Sequence, residues 1–157
     1  MIAVITADLV DSSNYSESFL DEILKNLNSE FEKLQQDYAE NEIDFEIYRG
    51  DSFQGVISKY QDSLKIALRI KSLINKVKSK DQKTSSTLAD VKIAIGIGTF
   101  DYKGDSIAES NGQAFQLSGR TLDEMKNDSR KIRLKTPLES LNSEFEASLF
   151  LLDAVME

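Results

Sequence analysis

Along the first hundred residues the spacing of apolar side chains changes four times, and that succession of periods narrows the fold more than any single residue does. "IAVITADL" (2–9) is nearly unbroken apolar sequence rich in β-branched residues, the pattern of a strand covered on both faces. From about Ser16 to Glu40, Leu20, Leu24, Leu27, Phe31, Leu34 and Tyr38 recur every three or four residues, which predicts an amphipathic helix. Ile43, Phe45 and Ile47 then alternate with polar residues, and "SFQGVIS" resumes an extended pattern beyond Gly50-Asp51. Together they predict a hairpin whose turn is of type II′, with Gly50 at its first central position. Ile66, Ile70, Leu73 and Val77 return to helical spacing over 61–79, and "VKIAIGIG" (91–98) returns to alternation. A polar loop is expected between them, at 78–90.

The resulting order, βαββαβ, is that of a ferredoxin-like or palm core: an α+β fold with an antiparallel sheet and helices on one face. The first strand and the strand after Asp51 are expected as neighbours at its centre. Residues 99–111 read as irregular. Residues 112–126 form a further helix with Phe115, Ser118, Leu122 and Met125 on one face, and "KIRLK" reads as a short strand. Thr136 as N-cap, Pro137 at the first helical position and Glu139 three residues after the cap then predict a last helix opened by a capping box. The apolar residues of that helix run on to Met156, so it is expected to dock on a partner or to lead into further sequence.

With 157 residues and one proline, the chain suits one domain, 1–157, with its core at 1–125 and a C-terminal strand and helix at 130–157. There is no cysteine and no histidine. Disulfides, thiolate or imidazole metal ligation and Ser-His-Asp hydrolysis are therefore excluded, and a reducing cytoplasm is the expected compartment. With 19 basic and 27 acidic residues the net charge is −8, which argues against binding nucleic acid or an anionic membrane surface. No segment has the length and composition of a membrane span or a signal peptide.

Asp8, near the end of the first strand, and Asp51, in the turn, converge at one sheet edge if their strands are neighbours. Paired hard carboxylates suit Mg²⁺ or Mn²⁺, ions that take their remaining ligands from water and substrate phosphates. The same two residues also fit a loop cap and a turn former. In "GQAFQLSGRTLD", Gln113, Gln116 and Arg120 share one helical face, either a solvated face or a phosphate brace.

Four segments in order, "ITADLVDSS", "RGDSFQG", "VKIAIGIG" and "GQAFQLSGRTLD", resemble the motifs of class III nucleotide cyclase catalytic domains, over most of residues 1–125. The hairpin "GD-x-FQG" and the "G-x-AF" segment are closer still to those of the bacterial SatD family, a family without a settled activity. The resemblance implies that Asp8, Asp51 and the Leu9 carbonyl ligate Mg²⁺ or Mn²⁺. It makes Arg120 the transition-state arginine and puts Gln116 where an asparagine is usual, with both acting across a homodimer. Arg49 and Lys131 become candidate contacts for a nucleoside triphosphate or other phosphorylated ligand; Lys131 lies in "SRKIRLK" with Arg130, Arg133 and Lys135, basic groups that equally suit an edge strand's protection against aggregation. Three features depart from the pattern: Ile47 stands at the base-selecting position, Gln116 is a longer amide, and the late lysine-bearing hairpin is missing. They favour a nucleotide- and metal-binding sensor or regulatory module of a bacterial protein over an active cyclase, with a purely structural dimerisation domain as the third reading.

Overall fold

The structure, a computed structural model, describes residues 1–79, 88–101 and 104–156. Five strands, β1 (Ile2–Leu9), β2 (Ile43–Tyr48), β3 (Ser52–Ile57), β4 (Val91–Gly98) and β5 (Ile132–Lys135), form one sheet in the order β2-β3-β1-β4-β5. β1 lies at the centre, antiparallel to both β3 and β4, as its apolar run requires. Four helices accompany the sheet: α1 (Glu17–Asp37), α2 (Ser63–Asn75), α3 (Gln113–Met125) and α4 (Glu139–Met156). This is the expected α+β palm with its further helix, strand and helix, but the sheet is not wholly antiparallel as expected. β5 is parallel to β4, so the sheet is mixed, and α3 is the crossover that a parallel pair needs.

The alternation along β1 decides what each face buries. Ala3, Ile5, Ala7 and Leu9 belong to the main core, with Phe19, Ile23, Leu27, Phe31 and Leu34 of α1 and Ile66, Ile70 and Ile74 of α2. Leu149 of α4 joins this cluster from the β5 side. α3 instead covers the opposite face over β4, β1 and β5, so the helices are shared between both faces rather than confined to one. Small residues make that second contact possible. A Cβ on Gly96 would stand 2.2 Å from the Ala114 carbonyl oxygen and 2.6 Å from the Ser118 nitrogen.

The last helix starts later than the capping box predicts. Thr136 Oγ1 accepts from the Leu138 backbone N–H at 3.0 Å, and the reciprocal acceptor for the Thr136 N–H is Asn142 Oδ1 at 2.7 Å, not Glu139. Asn142 can close this loop because it also donates to the Thr136 carbonyl, and the regular helix then begins at Glu139. Within the expected polar loop, Lys78 and Leu88 form an isolated antiparallel bridge. Residues 80–87 of that loop, and 102–103 of the irregular segment, lie outside the described residues.

Candidate metal and nucleotide site

The C-terminal end of β1 and the N-terminal ends of β3, β4 and β5 share one sheet edge, because β1 runs antiparallel to β3 and β4 and β5 runs with β4. Asp8 is half-buried there, paired in register with Ser52 on one side and Lys92 on the other. The turn brings Asp51 to the same corner. It differs from the expected type II′ turn: the loop is Arg49–Asp51, and both Arg49 (φ 57°) and Gly50 (φ 75°) are left-handed. The cause is Asp51, whose carbonyl accepts from the Leu9 N–H at 2.9 Å and so continues the β1 ladder, moving the reversal of the chain back by one residue. Arg49, as a non-glycine residue in that conformation, carries about 1–2 kcal/mol of local strain.

Hydroxyls hold the carboxylates. Ser52 Oγ donates to Asp8 Oδ1 at 2.5 Å and lies 3.3 Å from Asp51 Oδ1, while Ser12 Oγ donates to Asp51 Oδ2 at 2.8 Å. Asp8 and Asp51 are thus bridged by one serine side chain. Burial raises the Tyr48 phenol above its ordinary pKa, and the nearby Asp8 charge adds to the rise. Among the described residues there is no group of three or more carboxylate, His or Cys side chains placed to hold a metal. A two-carboxylate corner with backbone and hydroxyl oxygens beside it nevertheless has the donor set of a Mg²⁺ or Mn²⁺ that keeps several waters.

The other residues singled out from the sequence fall in two groups. Leu9 stands beside Asp51 through its N–H, with its side chain buried. Gln116 and Arg120 lie on the exposed face of α3, and no ion pair of Arg120 occurs among the described residues; Gln113, on the same helix, turns back to accept from the Thr99 N–H. Lys131 is at the correct sheet edge, but its ammonium lies 3.9 Å from Asp90 Oδ2 and its N–H donates to Asp153 Oδ2. Arg130 and Arg133 are likewise engaged, with Glu146 and Asp153 and with Glu124 and Glu146. Ile47 packs against the α1 side of the sheet.

Four supporting residues were not singled out from the sequence. Ser12 and Ser52 hold the carboxylates, and their nearness in sequence to Asp8 and Asp51 was the available signal. Lys92 caps the C-terminus of α3 through the carbonyls of Met125 (2.5 Å) and Asp128 (2.7 Å). Asp90 accepts from buried Lys71 Nζ at 2.8 Å and from Asn75, and its own carbonyl takes the Val10 N–H just beyond Asp8. Burial opposes ionisation of Asp90, but the Lys71 ammonium and the Asn75 amide bring its pKa below the ordinary value.

No family model and no curated protein matches the chain. Solved structures do. The non-canonical dimeric guanylyl cyclase domain of the RhoGC fusion protein from the aquatic fungus Blastocladiella emersonii aligns at 17% identity with a TM-score of 0.58, over 94% of this chain and 83% of that one. The catalytic core of a rhodopsin-guanylyl cyclase with converted specificity, in complex with ATPalphaS, aligns at 18% identity and TM-score 0.58 over 85% and 76%. The GGDEF domain of DgcB from Caulobacter crescentus, in complex with c-di-GMP, aligns at 13% and 0.56 over 86% and 77%. At these identities the likeness is one of fold: the chain has the palm of nucleotide cyclase domains.

Proposed function

We propose that this domain binds a nucleoside triphosphate together with Mg²⁺ or Mn²⁺ at the Asp8–Asp51 corner, as the sensor or regulatory module of a bacterial, SatD-like protein that works as a homodimer. The observation that carries this reading is the serine bridge between Asp8 and Asp51, two carboxylates brought from the end of β1 and from the β2–β3 turn to one corner of a palm sheet. Their charges repel unless a cation lies between them. Asp8, Asp51 and the Leu9 carbonyl would hold the ion, which when bound neutralises phosphate charge. Arg49, exposed in the turn next to Asp51 and in no ion pair among the described residues, is a cation available to the phosphates, whereas Lys131 would first have to leave Asp90.

A second reading, an active metal-dependent cyclase, has one observation in its favour. Arg120 is exposed on α3 beside exposed Gln116, while Arg69, Arg130 and Arg133 are all ion-paired. An arginine with no ion pair among the described residues is available to a site across a dimer interface. The sensor reading stands ahead of it because Ile47 is turned into the core and the longer amide of Gln116 displaces any donor aimed at a transition state. A thermal-shift titration with ATP or GTP and Mn²⁺ tests the binding. The melting temperature is expected to rise, and the rise to vanish in Asp8→Ala and Asp51→Ala. No shift for any triphosphate overturns the proposal, and a cyclic product formed from the bound nucleotide moves the assignment to the enzyme.

A further inference from the structure

On the face of the sheet that carries Asp8, the next pairs along the β1–β3 and β2–β3 ladders are Thr6 with Gln54 and Glu46 with Gln54. Gln54 is half-buried and sits one pleat, roughly 7 Å, beyond Ser52. α3 covers β4, β1 and β5 on this face, so Gln54 stands at the border of the covered half.

The hydrogen bonds around Gln54 have a defined direction. Ser118 Oγ donates its one proton to the Phe115 carbonyl at 3.1 Å. In the 2.9 Å contact between Thr6 Oγ1 and Ser118 Oγ the donor is therefore Thr6. Having used its own proton, Thr6 Oγ1 accepts, and it does so from Gln54 Nε2 at 3.0 Å. Both Thr6 and Ser118 are buried, so water does not compete for these bonds. The relay ends in a fixed amide: its nitrogen is anchored inward, and its Oε1 is left as an acceptor. Glu46, directly across the ladder, is acceptor-only when ionised. A ligand edge lying here meets two acceptors, Gln54 Oε1 and Glu46, and the one remaining N–H of Gln54, so a donor finds two of the three partners.

Resting on the nucleotide reading above, we propose that Gln54 is a specificity-determining residue: its Oε1, oriented by the Thr6–Ser118 relay, accepts from an exocyclic amino group of a purine base. This gives the face a selecting group that Ile47, packed into the other side of the sheet, does not supply. The amino group is the 6-amino of adenine or the 2-amino of guanine. Inosine triphosphate has neither, which makes it the discriminating probe.

The test is calorimetric titration of the full chain with ATP, GTP and ITP in the presence of Mn²⁺. The better of ATP and GTP is expected to bind roughly tenfold more tightly than ITP, the worth of one well-placed hydrogen bond, and the winner identifies the source of the amino group. Gln54→Met, close in size, is expected to reduce that ratio to near one while retaining the melting temperature and Mn²⁺ binding. Thr6→Val, which removes the anchor for Nε2 and lets the amide turn, is expected to lower the ratio with Gln54 still in place. Equal binding of all three nucleotides by the wild type, or a ratio unchanged in both variants, overturns the inference and leaves the binding site standing. Failure of every nucleotide to bind the wild type overturns the nucleotide reading and this inference with it.

Discussion

The two faces of the sheet are built from the same five strands but on different principles. Towards α1 and α2 the strands present Ile5, Ile57, Ile93 and Ile95, and the helices answer with Ile23, Leu27, Ile66 and Ile70, all fully or almost fully buried. Towards α3 they present Ala94, Gly96, Thr6 and Gln54, answered by Ala114 and Ser118. The first face stabilises by removing aliphatic area from water, at roughly 25 cal/mol per Å². The second brings a helix backbone almost onto the strands, buries a small apolar cluster of Ala94, Leu122 and Met125, and holds Thr6, Gln54 and Ser118 with directed hydrogen bonds. Asp8 belongs to the second face, so the face that contributes less to the core is the one that fixes the candidate site.

This comparison is tested first where the largest effect is expected. Ile5→Ala removes a fully buried side chain from the centre of the aliphatic face and is expected to cost about 2–5 kcal/mol in denaturant unfolding. Where the variant remains folded, its Mn²⁺ and nucleotide affinities are expected to equal those of the wild type. A selective loss of ligand binding would show that the two faces are not separable.

Lys71→Met probes a buried charge that ties α2 to the residue before β4, and is expected to cost about 1.5–3 kcal/mol at neutral pH, the range for hydrogen bonds to charged groups. Its pH dependence has a definite sign. The Asp90 carboxyl is held below its ordinary pKa of 3.8 in the folded protein, so the unfolded chain takes up the proton first as pH falls. The pair therefore stabilises above about pH 4 and is lost as the pH drops through the still lower folded value. The variant's stability is expected to be the flatter of the two between pH 5 and pH 3. An equal acid slope in both proteins would show that Lys71 does not set the Asp90 shift.

Gly96→Ala is the corresponding test on the α3 face, with about 1–3 kcal/mol expected from overpacking against the Ala114 carbonyl and the Ser118 N–H. Unlike Ile5→Ala, it moves the helix that holds Ser118, Gln116 and Arg120. It is therefore expected to lower ligand affinity beyond the loss explained by stability, which calorimetry of the folded variant measures.

Much of the aliphatic face was legible in the sequence, because its residues recur with periods of two and 3.6 that no other fold element shares. β4 agrees with its alternating run, and α1 lies within three residues of the limits set by its apolar spacing. The other face was less so. Ser118 falls on the apolar face of its helix and Ala94 and Gly96 are small residues between the apolar ones of their strand, but the side of the sheet on which α3 packs depends on a crossover that spacing along the chain does not encode. The same holds for the site. Asp8 and Asp51 stand out as carboxylates in apolar or turn contexts, whereas the serine bridge needs the register of β1 on β3. Lys131 shows the opposite limit: its composition suits a phosphate, but its partner Asp90 lies 41 positions away in sequence and becomes visible only when β5 lies parallel to β4.

The smallest expected effect separates stability from binding by giving them opposite signs. Arg49 occupies a left-handed conformation next to Gly50, in which a side chain carries strain and glycine carries none. Arg49→Gly is therefore expected to change stability by only about 0.5–1 kcal/mol, and in the stabilising direction, since the relief of strain exceeds the added freedom of the unfolded chain. Arg49 is also the exposed cation of the turn that places Asp51. If it meets the phosphates, the more stable variant binds triphosphates less tightly, and the difference shrinks at high salt as the charge is screened. A variant that melts higher and binds ATP and GTP as well as the wild type would reduce Arg49 to a turn residue. The cost of its conformation would then have no function at this corner of the sheet.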